Sequence, residues 1–190
     1  MGECFIYKIM IHPHYYTLKE KVLIKYMNPI FFETGTYLGD SVELALKVGF
    51  SKIISIEIEE YLQKENTKKF QQQINEGKVT LITGDTILVM EDIIKRINQP
   101  TTFWLDAHVD LGITGIKKCP LYEELDFIAK SNIKTHTILI DDVRLFGDKH
   151  WGTGINLNEI KNKILSINPN YKFTFEDGHV PSDVLVAYIN

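Results

Sequence analysis

Apolar and polar positions along this chain come in blocks, and the blocks alternate between two periods. Short β-branched or aromatic runs end in Gly, Pro or an acidic residue. Stretches with apolar residues every three or four positions then follow. The runs predict strands over Pro29–Glu33, Lys52–Ile58, Lys78–Ile82, Thr101–Asp106 and His136–Asp141. The periodic stretches predict helices over Asp40–Val48, Glu59–Asn75, Thr86–Ile97, Leu121–Ala129 and Asn158–Ile167, with Gly49, Gly77 and Pro100 near three of their ends. Thr17–Met27 predicts one earlier helix, and Pro29 separates residues 1–28 from the rest as an N-terminal helical extension.

The pattern changes at the end of the chain. Tyr171–Glu176 alternates polar and apolar, Asp177-Gly178 signals a turn, and Asp183–Ile189 is again strand-like, so these two runs predict antiparallel pairing. Five β/α alternations and a terminal hairpin imply a single α/β domain over residues 1–190. Its architecture is a three-layer Rossmann-like fold, with a mostly parallel sheet between helices and an antiparallel terminal strand. Right-handed crossovers place the carboxyl ends of the parallel strands on one edge, where open α/β sheets bind ligands.

Composition narrows the classes. The chain has 190 residues, 44% hydrophobic and 24% charged, with net charge −4 and no Lys/Arg block. The electrostatic footprint of a general nucleic-acid binder is therefore missing, although Lys117-Lys118 is a local basic pair. Two cysteines, Cys4 and Cys119, make no disulfide framework and no CxxC motif, which fits reduced thiols in the cytoplasm. There is no secretory leader pattern and no run of membrane-spanning length. Position 6 is Ile, against the Ser or Thr expected for myristoylation at Gly2.

The predicted edge is acidic. Glu33, Glu57, Asp106 and Asp141 end strands, Asp142 follows, and Asp85 comes after Thr83-Gly84. Glu33-Thr34-Gly35-Thr36-Tyr37-Leu38-Gly39-Asp40-Ser41 has the outline of a strand end, a tight turn and a helix start. Gly35 and Gly39 let backbone approach a ligand, while Asp40 and Ser41 either cap the helix or touch that ligand. Glu57 lies about twenty residues after the turn, where a carboxylate accepts from a ribose diol; the competing reading is a surface residue in an acidic run with Glu59 and Glu60. Asp85 is placed to meet an exocyclic adenine amine, to cap the helix starting at Thr86, or both. The turn lacks the Gly-x-Gly-x-x-Gly spacing of nicotinamide enzymes.

This ordered set resembles the cofactor motifs of class I S-adenosylmethionine-dependent methyltransferases. It comprises Glu33-x-Gly35-x-x-x-Gly39, Glu57, Gly84-Asp85, Trp104-Leu105-Asp106-Ala107-His108 and Ile140-Asp141-Asp142. The usual class I glycine-rich turn often has another glycine where this chain has Tyr37, but the Glu-x-Gly-x-x-x-Gly-x-Ser form is similar to that of metal-dependent macrocin-type sugar O-methyltransferases. The resemblance spans roughly residues 30–145 and implies a seven-stranded sheet. It also implies cofactor contacts from Glu33, Thr34, Gly35, Thr36, Gly39, Asp40, Ser41, Glu57, Ile58, Gly84, Asp85, Thr86 and Asp106. It further implies a divalent cation, Mg²⁺ or Mn²⁺, on Asp106, Asp141 and Asp142. Those two adjacent aspartates can share an ion only if the strand bends or ends between them, since neighbouring strand residues face opposite ways.

The chemistry expected is attack by a hydroxyl of a glycan or other small acceptor on the S-methyl group. Asp106 would sit at the reaction centre and His108 would act as base, as a metal ligand or as a plain loop residue. The glycine-containing loop 109–119 and the segment 147–154, with Arg144, His150 and Trp151, are candidate acceptor walls. His12, His14, Tyr15 and Tyr16 would cover the site or a homo-oligomer contact. Cys119 reads as a packing residue. The alternatives are a metal-independent N-methyltransferase and a non-catalytic nucleotide-binding scaffold on the same fold.

Overall fold

The computed structural model describes residues 17–107, 119–148 and 154–189. Seven strands form one sheet: β1 (Ile30–Thr34), β2 (Lys52–Glu57), β3 (Val79–Thr83), β4 (Thr101–Leu105), β5 (Thr137–Ile140), β6 (Lys172–Glu176) and β7 (Val184–Tyr188). Their order is β3-β2-β1-β4-β5-β7-β6, with β7 antiparallel to both of its neighbours and the other pairs parallel. The order reverses between β1 and β4, which makes their carboxyl ends the switch point of the sheet. The expected α/β fold with a terminal antiparallel hairpin is what the chain adopts.

Period-two alternation splits the central strands between two cores. Ile30, Phe32, Ile54, Ile56, Phe103, Leu105, Ile138 and Ile140 face one core; Phe31, Ile53, Trp104 and Leu139 face the other. Both sets are buried, which is why these strands read as continuous apolar runs. The first core is closed by α5 (Thr86–Ile94), α6 (Leu121–Ala129) and α7 (Leu157–Ile167). The second is closed by α1 (Glu20–Lys25) and α2 (Asp40–Val48), joined by Phe70 at the end of α3 (Glu60–Lys69). Leu18, Val22, Leu23 and Tyr26 belong to this core, and Tyr26 and Lys25 hydrogen-bond Glu176 at the far edge of the sheet.

Three helices depart from the sequence expectation. The helix expected over Glu59–Asn75 is two, α3 and α4 (Gln71–Asn75), broken at Phe70, whose φ of −108° and ψ of 19° leave the helical region while its ring is buried. Burying that one ring outweighs continuing a polar helix with no apolar stripe of its own. The helix expected to reach Ile97 ends at Ile94, because the amides of Arg96 and Ile97 bond three residues back, a tightened last turn. The helix expected over Thr17–Met27 is confined to Glu20–Lys25. No helix among the described residues is long and apolar enough to cross a membrane.

Candidate active site

The turn after β1 is built from below. Glu33 has no exposed surface; its carboxyl group accepts from the Ser55 hydroxyl at 2.6 Å and from the Ser41 hydroxyl of α2, while the Thr36 hydroxyl lies 2.5 Å from that of Ser55. Burial pushes the Glu33 carboxyl up to about 8, the charges of Asp106 and Glu57 push the same way, and the two serine hydroxyls pull against them. Glu33 thus anchors the turn through Ser41 and Ser55. Ser41 is engaged with Glu33, and the N-cap of α2 is Gly39, so neither Asp40 nor Ser41 caps that helix. Asp40 stands in the first turn, 4.0 Å from Lys69.

Two glycines are required here by geometry. Gly35 has φ +87°, and a Cβ on it would lie 2.7 Å from the carbonyl oxygen of Asp106. Gly39 has φ +78°, and a Cβ would meet Asn66 and the Phe70 ring. The backbones of β1 and β4 thus touch at the switch point, where the Asp106 amide donates to the Thr34 carbonyl at 3.2 Å. Tyr37 adopts φ +46°. Its amide donates to Glu57 at 2.7 Å and its carbonyl accepts from Asn66 at 2.7 Å, which holds a non-glycine residue in this strained region.

Glu57 is 6% exposed, so it is not the surface residue of the competing reading. Its other oxygen accepts from the Glu59 amide at 2.9 Å. Gly84 donates its amide to the Glu57 carbonyl at 2.8 Å, which brings the β3 end alongside. Asp85 is the N-cap of α5 and accepts from the Ile87 amide at 2.9 Å. Thr86 is buried behind it. Tyr37, Ile58, Tyr61 and Leu88 leave large apolar surfaces exposed on the segments that follow β1, β2 and β3.

On the other side of the switch point, the Asp141 amide bonds the Leu105 carbonyl at 3.3 Å. β5 ends at Ile140, and Asp142 turns into the left-handed region with φ +57°, opening a 3₁₀ turn over Val143–Leu145. The chain thus ends its strand before the two aspartates, which removes the geometric obstacle to their acting together. Among the described residues, the three carboxylates whose ligand atoms all lie within 4.8 Å of one another are Asp141, Asp142 and Asp183. This group differs from the expected Asp106, Asp141 and Asp142. Asp106 lies outside it, yet close enough that, after burial, its charge is the largest influence raising Asp141. Burial, Asp106 and Asp142 together push Asp141 up to about 8. Asp141 is 1% exposed, and its Oδ1 has no hydrogen-bond partner among the described residues.

Asp183 was missed in the sequence. It immediately precedes the antiparallel strand β7, and an antiparallel strand begins on the edge where parallel strands end; that rule was the available signal. Cys119 is buried, with its thiol pushed by burial to about 11, as suits packing. His108, the walls at 109–118 with Gly112, Gly115 and Lys117-Lys118, His150, Trp151, and Cys4, His12, His14, Tyr15 and Tyr16 lie outside the described residues.

No family model matches the chain, and no curated protein sequence matches it. Solved structures do. The O-methyltransferase TomG of Streptomyces achromogenes, involved in tomaymycin synthesis and solved with S-adenosylmethionine, shares 13% identity, 90% of this chain and 78% of its own, with a TM-score of 0.59. An O-methyltransferase from Bacillus cereus, solved with S-adenosylhomocysteine, gives 16% identity, 90% and 78% coverage, and a TM-score of 0.61. SMU.1697c of Streptococcus mutans, described as a putative methyltransferase and solved with the same product, gives 14%, 90% and 95%, and 0.58. At these identities the likeness is one of architecture: the chain has the Rossmann-like fold on which S-adenosylmethionine-dependent O-methyltransferases are built.

Proposed function

We propose that this chain is an S-adenosylmethionine-dependent O-methyltransferase, assisted by a divalent cation and acting on a sugar or another small hydroxylated molecule in the cytoplasm. One observation carries the reading: the Glu57 carboxylate is fixed by the amides of Tyr37 and Glu59 at the end of β2, beside a turn that needs bare backbone at Gly35. A carboxylate oxygen that accepts one amide keeps a second lone pair, so Glu57 can still take both hydroxyls of a ribose. The exposed apolar side chains of Ile58 and Leu88 offer faces for an adenine, and Asp85 a partner for its amine. The remainder of the ligand would lie along the Gly35–Gly39 turn toward Asp106, on the side away from the Asp106 carbonyl, Asn66 and Phe70 that already pack against the two glycines.

The carboxylates fit a hard divalent cation. Asp141 combines burial, an oxygen without a partner among the described residues and repulsion from two like charges, and the donors are all oxygen, which suits Mg²⁺ or Mn²⁺ better than a thiophilic metal. Asp141 and Asp142 would hold it, with Asp106 as the third carboxylate of the sequence expectation, although it is Asp183 that lies within 4.8 Å of both. When bound, such an ion lowers the pKa of a coordinated hydroxyl. The sulfonium cofactor brings its own leaving group, so the chain's task is to orient the acceptor and remove a proton. His108, two residues beyond Asp106, is the base in this reading.

Transfer of labelled methyl groups to a panel of sugars and small alcohols tests the proposal. Label in ether-linked product, lost after EDTA treatment and in Asp141→Ala, is expected. Label found only on amines would overturn O-methylation, and full transfer in EDTA would overturn the role of the cation.

A further inference from the structure

The acidic group beside β5 already carries a cation. The Arg144 guanidinium donates from one nitrogen, Nη1, to Asp142 Oδ1 at 2.5 Å and to Asp183 Oδ2. Asp183 grips the same turn from its buried side. Its other carboxylate oxygen accepts from the Arg144 amide at 3.1 Å, and its carbonyl accepts from the Val143 amide at 3.0 Å. Exposure is graded across the trio: the side chain of Asp183 is 0% exposed, that of Asp142 14% and that of Arg144 32%. Arg144 is therefore anchored at the inner carboxylate and open to solvent on its outer side. Asp141, adjoining Asp142, is left with a buried oxygen that no described residue satisfies.

Sharing Asp142 would bring the two cations close together. A divalent ion takes carboxylate oxygens at about 2.0–2.1 Å for Mg²⁺ and surrounds itself with further oxygen ligands, often water. Arg144 holds only Oδ1 of that carboxylate, so the conflict is one of charge: two cations on one carboxylate repel strongly. We propose that Arg144 is the resident counter-ion of this carboxylate group, and that the guanidinium and a divalent ion are alternative partners of Asp142, so that ion binding requires Arg144 to leave Asp142 while remaining with Asp183. The inference rests on the metal-assisted reading and adds a built-in competitor to it. Its consequence is a reduced divalent-ion affinity, with the ion-free group kept partly neutralised.

Calorimetric titration of the full chain with MnCl₂, without cofactor or acceptor, tests this. Arg144→Gln should bind Mn²⁺ about tenfold or more tightly than the native chain, and Arg144→Lys, which keeps the charge without the fork, should stay near native. Asp141→Asn should abolish binding in both the native and the Arg144→Gln backgrounds. Native-like or weaker binding by Arg144→Gln would overturn the competition while leaving the cation site intact. Absence of binding by every form would remove the cation site itself and the inference with it. A measurement on the unaltered protein covers the case in which Arg144→Gln does not fold. Under saturating Mg²⁺ the side-chain nitrogen resonances of Arg144 should shift together with the amides of residues 141–142; movement of those amides with Arg144 unmoved contradicts the proposal.

Discussion

Glu33 lies one residue before the end of β1, among hydroxyls, with burial pushing its carboxyl from 4.5 up to about 8. The folded chain therefore keeps this proton to a higher pH than the unfolded chain. Stability from Glu33 is intact below about pH 4.5 and is lost as pH rises toward about 8. His136 works in the opposite sense. It is buried between Thr101, whose amide donates to its Nδ1, and the Ser131 hydroxyl, and burial lowers it from 6.5 to about 4, so its contribution is lost as pH falls through that window. Urea unfolding should show Glu33→Gln gaining on the native chain between about pH 5 and pH 8, by roughly 2–4 kcal/mol at the upper end. A difference that does not vary with pH would mean that Glu33 is ionised throughout. At Gly35, alanine must accept φ +87° and a Cβ 2.7 Å from the Asp106 carbonyl. Gly35→Ala should cost about 2–4 kcal/mol in the same experiment, and a neutral result would mean that β1 and β4 do not meet as described.

Elements explain which features could be read in the sequence. The four central parallel strands were legible because both faces are buried, so each appears as an apolar run with an acidic residue at or near its end. At the sheet edge, β3 has two exposed residues and was legible from its β-branched residues and the Thr83-Gly84-Asp85 at its end. The break at Phe70 was not, because Gln71-Gln72-Gln73 continues a polar helical pattern and the cause is a long-range contact of one ring with the α2 core. Asp183 was missed for the same reason: its neighbours in sequence are a turn, while its partners are Arg144 and the end of β5. The hairpin loop also closes on Asp141, since a Cβ at Gly178 would lie 3.1 Å from Asp141 Oδ1. Strand parity, which turns Glu33 inward, became useful only when its partners Ser55 and Trp104 were known. The two roles of Asp85 separate at the level of α5. Asp85→Ala should cost about 1 kcal/mol by removing the cap, whereas Asp85→Ser should restore stability. A fall in S-adenosylhomocysteine affinity in the serine variant, with stability kept, identifies a ligand contact; unchanged affinity leaves Asp85 as a cap alone.

Across the whole molecule, one edge collects side chains from every part of the sheet. Glu57 comes from β2, Asp106 from beyond β4, Asp141 and Asp142 from beyond β5 and Asp183 from the hairpin; the charges of Asp106 and Glu57 both reach Glu33, and Asp106 reaches Asp141. The glycine turn and the carboxylate of β2 form one half of this edge, the aspartates the other, with Asp106 between them at the reversal of strand order. In the proposed reading, such an arrangement would make a cofactor and an acceptor neighbours, as group transfer requires. The most direct test is calorimetric titration of the native chain and of Glu57→Gln with S-adenosylhomocysteine, with NAD as the control ligand. The account predicts a single site for S-adenosylhomocysteine, binding weakened about tenfold or more in Glu57→Gln, and no heat from NAD. Binding of NAD without S-adenosylhomocysteine, or equal affinity in Glu57→Gln, would contradict it.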